Sequence, residues 1–262
     1  MIVFPQLVTG ASALYPVLKA RRKRTVVNVL GDGSTDVFSD NDAALVEWEL
    51  HATGMTGAEW NAIDSLLQQV SGRWQTFTFL DPTSNLLAES ETLSSSAWTK
   101  GALVGLTAGV VDPLGTTRAT TLTNTGSSVA GISQVLPVPG NFQYCLSAWI
   151  RSSGGSSVTL SAGTNSQSVS TSAVWSRVAL AAGGGSSSAS TVIFGLQLPI
   201  GGAADVFGLQ AEAQLAPSDY KVTGVSGGVY PQARFALDQI PVTARGTDVY
   251  DAVIRIVSPE NT

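Results

Sequence analysis

Three groups of side chains in this sequence have the types and spacing for recognition chemistry. The first is a basic run. Lys19, Arg21, Arg22, Lys23 and Arg24 hold five of the fourteen lysines and arginines. Such a run can bind phosphates or an acidic protein surface. It equally suits a solvated edge strand, where lysine and arginine discourage unwanted pairing. No aromatic residues are interleaved for stacking on single-stranded nucleic acid. The net charge of −5 also excludes a whole-chain basic footprint, so no nucleic-acid reading follows. The second group is an acidic loop with Asp32, Asp36, Asp40 and Asp42. Asp32, Ser34 and Asp36 have the one-three-five spacing of a calcium loop. Val37 then stands where glycine is needed and Ala43 where the distal glutamate is needed. The stretch therefore reads as a turn rich in Asp, Gly and Ser. Arg21, Arg22, Lys23 and Arg24 against a neighbouring subunit's Asp32 and Asp36 would make complementary interface charges. The third group is aromatic: Trp98, Tyr144, Trp149, Trp175 and Tyr220 could offer flat faces to a sugar ring. Trp149 and Trp175 fall within strand-like runs and read as core. Trp98, in a serine-rich loop, with Tyr144 and Tyr220, is a candidate glycan contact.

Catalytic equipment is sparse. One histidine, His51, and one cysteine, Cys145, leave no Cys/His cluster for zinc and no internal disulfide. Gly31-Asp32-Gly33-Ser34 lacks the lysine of a phosphate-binding loop. No G-x-S-x-G elbow is present. Glycoside hydrolysis needs two carboxylates, and the middle of the chain has Glu89, Glu91, Asp112, Asp205, Glu212 and Asp219. Spacing does not pair them. Cys145, inside FQYCLSAWI, reads as a buried small apolar residue. The expectation is a protein that is not an enzyme, with no cofactor and no metal.

The elements that would position these groups are mostly strands. Thr25–Leu30 is a β-branched run. In residues 44–52, Val46, Trp48 and Leu50 alternate with Glu47, Glu49 and His51, as in a half-buried strand. A helix follows: Thr56 and Glu59 form a capping box, and Trp60, Ile63, Leu66, Leu67 and Val70 share one face before Gly72 stops it. Trp74–Leu80 alternates again, with Phe77 and Phe79 on one side, and Asp81-Pro82 closes it. Between about 86 and 225 there is no convincing helix. Strand-like runs recur at 130–138, 142–151, 156–160, 174–180, 191–198 and 205–214, as in a β-sandwich or jelly roll. The serine/glycine tracts 152–157 and 183–188 read as hairpin tips or loops. Two further strands, 233–240 and 248–257, are joined by a turn at 241–246.

Charge is unevenly spread. Residues 86–225 carry eleven charges in 140 positions, whereas the other 122 carry twenty-two. A shift of this size suggests an insertion or a second domain. The expected fold is mainly β: residues 1–85 and 226–262 form a discontinuous α+β domain, and 86–225 form an inserted jelly-roll sandwich. The first residues lack the basic start and apolar core of a signal peptide. No apolar run reaches the roughly 20 residues of a membrane span.

The order Asp32-Gly33-Ser34, Trp48-Glu49-Leu50, the helix with Glu59, Gly72, then Phe77-Thr78-Phe79-Leu80-Asp81-Pro82 resembles the distal-tail and minor-tail proteins of long-tailed phages, including the lambda-type minor tail protein M. A closing pair of strands near 233–257 completes the likeness. The middle segment resembles the carbohydrate-binding-module-like jelly rolls of phage tail proteins. Asn85-Leu86-Leu87, Ser90-Glu91 and Trp98 open it, and Phe207-Gly208-Leu209-Gln210-Ala211-Glu212 with Ser218-Asp219-Tyr220 closes it. The resemblance implies a virion structural protein assembled in the host cytoplasm. It implies a hexameric ring at the distal tail that joins the tail tube protein to tip or hub proteins. The jelly roll would face outward toward proteins or a host surface glycan. The alternative is that the sandwich is the working part, a receptor- or glycan-binding tail module. A glycan depolymerase is a third reading.

Overall fold

The computed structural model describes residues 1–183, 185–186 and 188–260, with only the backbone of 41 and 42. Asp42 of the acidic stretch, and two positions of the 183–188 tract, thus lie outside the described residues.

The chain opens with β1 (Val17–Val29), β2 (Thr35–Met55), helix α1 (Gly57–Gln69) and β3 (Phe77–Leu80). It continues with β4 (Thr99–Lys100), β5 (Val104–Val110), β6 (Ala119–Asn124), β7 (Ala130–Leu136) and β8 (Gln143–Arg151). Then come β9 (Ser157–Ala162), β10 (Asn165–Ser170), β11 (Ser176–Gly183), β12 (Val192–Leu198) and β13 (Ala203–Glu212). The last are β14 (Val229–Phe235), β15 (Val242–Gly246) and β16 (Val249–Pro259). The fold is mainly β with one helix. It divides into two compact units. One comprises Ile2–Pro5, Ala13–Phe79 and Tyr230–Thr262; the other comprises Met1, Gln6–Ser12 and Leu80–Val229.

The first unit is a six-stranded sheet in the order β1-β2-β16-β14-β3, with β15 on β16. Alternation along β2 buries Val46, Trp48 and Leu50 and turns Glu47, Glu49 and His51 to the other face. The edge of Trp48 meets Tyr230 at 4.6 Å and Phe79 at 5.0 Å between ring centroids. Ile63, Leu66, Leu67 and Val70 of α1 join this core, with Trp60 partly buried beside it. The capping box is formed: Thr56 Oγ1 accepts from the Glu59 N–H at 3.3 Å, and Glu59 Oε2 accepts from the Thr56 N–H at 2.8 Å. Three local readings change. The strand expected from Trp74 begins only at Phe77, and Trp74 is exposed in the turn after the helix. The expected turn at 241–246 contains β15. The acidic loop is a short turn at Asp32, because Asp36 and Asp40 lie within β2.

The second unit is a sandwich of two five-stranded sheets, β10-β9-β12-β7-β4 and β11-β8-β13-β6-β5. Tyr144 of one sheet meets Phe194 of the other edge to face at 5.3 Å. The chain changes sheet between β8 and β9 and again between β11 and β12. The 152–157 tract between β8 and β9 is a loop that crosses between the sheets and not a hairpin tip. The fully buried Asn85 fastens the start of the unit to β13. Its Nδ2 donates to the Leu209 carbonyl at 2.8 Å, and its Oδ1 accepts from the Leu87 and Ala211 N–H groups at 3.0 Å. Residues Gln6–Ser12 also belong to this unit. Gln6 exchanges hydrogen bonds with the Gln143 backbone, donating at 2.8 Å and accepting at 2.8 Å. Sequence patterning placed these residues with the other unit.

Losing the cap should weaken the helix without touching the sandwich. Thr56→Ala is expected to cost about 1 kcal/mol. The check is a lower urea midpoint at unchanged slope.

Candidate functional site

Strand β8 sets the site. Tyr144, Leu146, Ala148 and Ile150 point inward and are fully buried. The alternate residues Cys145, Ser147, Trp149 and Arg151 therefore line the outer face. On the neighbouring strand, Arg177 is the register partner of Trp149. Its guanidinium carbon lies 4.4 Å from the centroid of that indole. One step along, Arg151 lies 4.7 Å over the ring of Trp175, which sits just before β11. The two pairs form a crossed ladder, arginine on tryptophan and tryptophan on arginine. The underlying signal is the repeated Trp-x-Arg, at Trp149-Ile150-Arg151 and Trp175-Ser176-Arg177. Each segment alone reads as an amphipathic strand, so the pairing is invisible until register is known. Trp149 and Trp175 are half-buried on the outer face, not in the inter-sheet core.

Strand β13 extends the face. Asp205 pairs in register with Arg151, and Phe207 with Trp149. A bulge follows: Phe207 to Gln210 spans three residues while the partner strand advances two. The extra residue keeps Phe207 and Gln210 on the same face. Gly208 supplies the positive φ of 64° there, and a Cβ on it would meet the Trp149 ring at 3.1 Å.

One half of this face is closed. Segment 214–224 lies across Gln210 and Glu212. Lys221 Nζ donates to Glu212 Oε1 at 2.7 Å, and the Lys221 N–H donates to Gln210 Oε1 at 2.7 Å. Tyr220 packs edge to face on Phe207 at 5.3 Å and on Trp149 at 6.0 Å, and its hydroxyl shares a 2.8 Å hydrogen bond with Ser90. Burial pushes the Glu212 carboxyl up, but hydrogen bonds from Lys221 and Ser218 outweigh it and hold the group below its ordinary value. Burial pushes the Cys145 thiol up to about 11, which suits an inert side chain.

The other half is open. Asp205 Oδ2 accepts from Arg151 Nε at 2.8 Å, and its Oδ1 accepts from Thr121 Oγ1 at 2.5 Å. These three side chains, with Ser152, Ser153 and Ser156, line a cleft of about 640 Å³. Glycines and alanines complete the lining, so hydroxyls and one ion pair stand among short side chains, an arrangement suited to ligands rich in hydroxyl groups.

The three aromatics expected as glycan contacts, Trp98, Tyr144 and Tyr220, present no free face to the cleft. Trp98 is buried, and its indole N–H donates to the Glu89 carbonyl at 3.0 Å. Tyr144 is fully buried and donates to the Pro139 carbonyl at 2.7 Å. Neither offers a face to a ligand. Tyr220 is half-buried and spent on packing. The basic block lies in β1, at the edge of the six-stranded sheet. Arg21 faces Glu260 at 3.4 Å, Arg22 faces Glu47 at 3.3 Å and Arg24 faces Asp40 at 3.5 Å, all on exposed surface. Lys23 lies in the same strand. Asp32 accepts from its own turn, from the Ser34 hydroxyl at 2.6 Å. Asp36 is the register partner of Asn28. Among the described residues no helix is long and apolar enough to cross a membrane. Among the described residues no group of three or more acidic, histidine or cysteine side chains is placed to hold a metal ion.

No family model matches the chain, and no curated protein matches it. Solved structures do. The C-terminal family 22 carbohydrate-binding module of Clostridium thermocellum Xyn10B is 12% identical, with a TM-score of 0.40 over 53% of this chain and 99% of that one. The N-terminal modules of the same xylanase, complexed with xylohexaose, are 11% identical, with a TM-score of 0.36 over 50% of this chain and 28% of that one. The enzymatically active domain of bacteriophage CBA120 tailspike protein 4 is 16% identical, with a TM-score of 0.35 over 51% of this chain and 21% of that one. None of these three is a distal-tail or minor-tail protein.

The Glu212–Lys221 pair predicts a pH response. A carboxyl lowered in the folded state stabilises the fold above its unfolded value, near 4.5, and that stability is lost as pH falls through the folded value. Glu212→Gln should cost about 3 kcal/mol at pH 7, the scale of a broken buried pair. It should also flatten the acid limb of urea stability measured from pH 6 to roughly 3.

Proposed function

We propose that the sandwich unit is a glycan-binding module and that the open half of its outer sheet face is the site. The observation that carries this is the cleft at Arg151, Asp205 and Thr121 beside the tryptophan–arginine ladder. Sugar hydroxyls both donate and accept. Asp205 supplies acceptors, the Arg151 guanidinium supplies donors in a fixed plane, and the serines supply both. Trp175 and Asp205 already restrain Arg151, so little side-chain freedom is lost on binding. The reading uses no catalytic step and no cofactor. It predicts retention of the protein on a glycan array or an insoluble polysaccharide. Asp205→Asn should weaken that binding roughly tenfold, the scale of one charge-assisted hydrogen bond. Unchanged affinity in the variant, measured by calorimetry, would move the site elsewhere; no retention by the wild type on any glycan would sink the reading.

A second reading, that the protein is a tail structural component in the virion, draws support from a different feature. Strand β2 pairs with β16 only from Leu45 to Met55, whereas Thr35–Asp40 pairs only with β1. The far end of the ribbon is two strands wide, and Val27, Val29, Val37 and Phe38 there are each more than half exposed. A two-stranded ribbon is marginal alone, and exposed apolar clusters mark contact surfaces. In this reading copies of the chain form a hexameric ring through their ribbons, between the tail tube and tip or hub proteins. Sedimentation should then find a large oligomer that Val27→Ser with Phe38→Ser converts to monomer. A wild-type monomer at high concentration, absent from purified virions, would exclude it.

A further inference from the structure

Among the described residues, two basic side chains of the sandwich stand without a carboxylate, Arg177 and the exposed Lys100. Arg118 faces Glu91 at 2.8 Å and Asp112 at 3.4 Å. Arg151 faces Asp205 at 2.8 Å, and Lys221 faces Glu212 at 2.7 Å. Arg177 has no carboxylate within 4 Å among the described residues. Its Nη2 donates to Ser147 Oγ at 3.1 Å, and its Nε is shielded from water without an acceptor. An arginine waving in solvent needs no counterion. Arg177 is different: it is half-buried, with its guanidinium carbon 4.4 Å from the Trp149 ring centroid. Placing a cation away from water without an opposite charge is costly. A guanidinium stacked on an aromatic ring is also preorganised, and the edge that carries its two terminal nitrogens matches a carboxylate with two parallel hydrogen bonds.

We infer that the ligand is an acidic glycan, a chain of carboxylate-bearing sugars, and that Arg177 receives a carboxylate while the cleft at Arg151 and Asp205 holds hydroxyls. This rests on the glycan-binding reading above. Arg177 and Arg151 sit on adjacent strands of one face, two positions apart in register, so one oligosaccharide can span both. Asp205 is already engaged twice and keeps the cleft itself from being an anion site. A net charge of −5 gives no overall attraction for a polyanion, so a preference for the acid has to come from local cations.

The test compares matched pairs: hexagalacturonate with its methyl ester, and a hyaluronan hexasaccharide with its carboxyl methyl ester. The intact protein is titrated with each by calorimetry. The inference expects an acidic member to bind roughly tenfold or more tightly than its ester, with affinity that falls as salt rises. Arg177→Gln should abolish that difference. Arg177→Lys, which keeps the charge and loses the fork, should retain part of the preference. Thermal melting of each variant shows whether the fold is intact. Equal binding of acid and ester would overturn the inference and leave the glycan reading standing. A preference for the acid that survives Arg177→Gln would overturn the role of Arg177. Binding by neither member of either pair would overturn the inference, and the glycan array distinguishes that result from failure of the glycan reading.

Discussion

The alternation of side chains along β8 is the constraint on which the sandwich depends. Four inward residues, Tyr144, Leu146, Ala148 and Ile150, occupy the inter-sheet core. A slip of one residue would put Arg151 and Trp149 between the sheets and Leu146 and Ile150 in water. The cost of burying arginine there fixes the register. That register then sets which residues of β11 and β13 stand beside Trp149 and Arg151. The tryptophan–arginine ladder, the Arg151–Asp205 pair and the cleft are thus consequences of a hydrophobic pattern on the opposite face. The bulge at Gly208 extends the same logic, because it lets Phe207 and Gln210 share a face despite their odd spacing.

Strong periodicity made some of this legible. The capping box at Thr56, the alternation of Val46, Trp48 and Leu50, and most of the long sandwich strands stand in the sequence because each is a local pattern. Strands β5, β6 and β10 do not. Residues such as Asn165–Ser170 and Ala119–Asn124 have weak or one-sided apolar content, and their pairing partners supply the order. The candidate site was less legible than the fold. Trp98 looked available because it lies among serines, yet a single hydrogen bond to a backbone carbonyl lets it be buried. Trp149 and Trp175 looked like core because they accompany strands. Which face of a strand looks inward depends on the opposite sheet, and a short window of sequence does not contain it.

The scarcity of charge in the middle of the chain has a structural counterpart. Most of those charges are assigned to particular partners: Arg118 with Glu91 and Asp112, Arg151 with Asp205, Lys221 with Glu212. They clasp segments to the outer face of one sheet. The flanking segments use charge differently, as solvated pairs along an edge strand. Composition alone treats the two kinds of charge as equal. Only the second kind is screened readily by salt.

The strand order of the six-stranded sheet also has a temporal side. Strand β16 sits between β2 and β14, and Trp48 is the register partner of Ile256, 208 positions away. At ribosomal elongation rates that gap lasts roughly ten to forty seconds. Throughout it, the ribbon of β1 and β2 can form, but one side of β2 is an open edge in search of a partner. The glutamates and arginines along the ribbon then serve a nascent chain, since charged side chains on an open edge discourage pairing with the wrong strand. The sandwich, made from the residues in between, has time to close before the sheet that flanks it in sequence is complete.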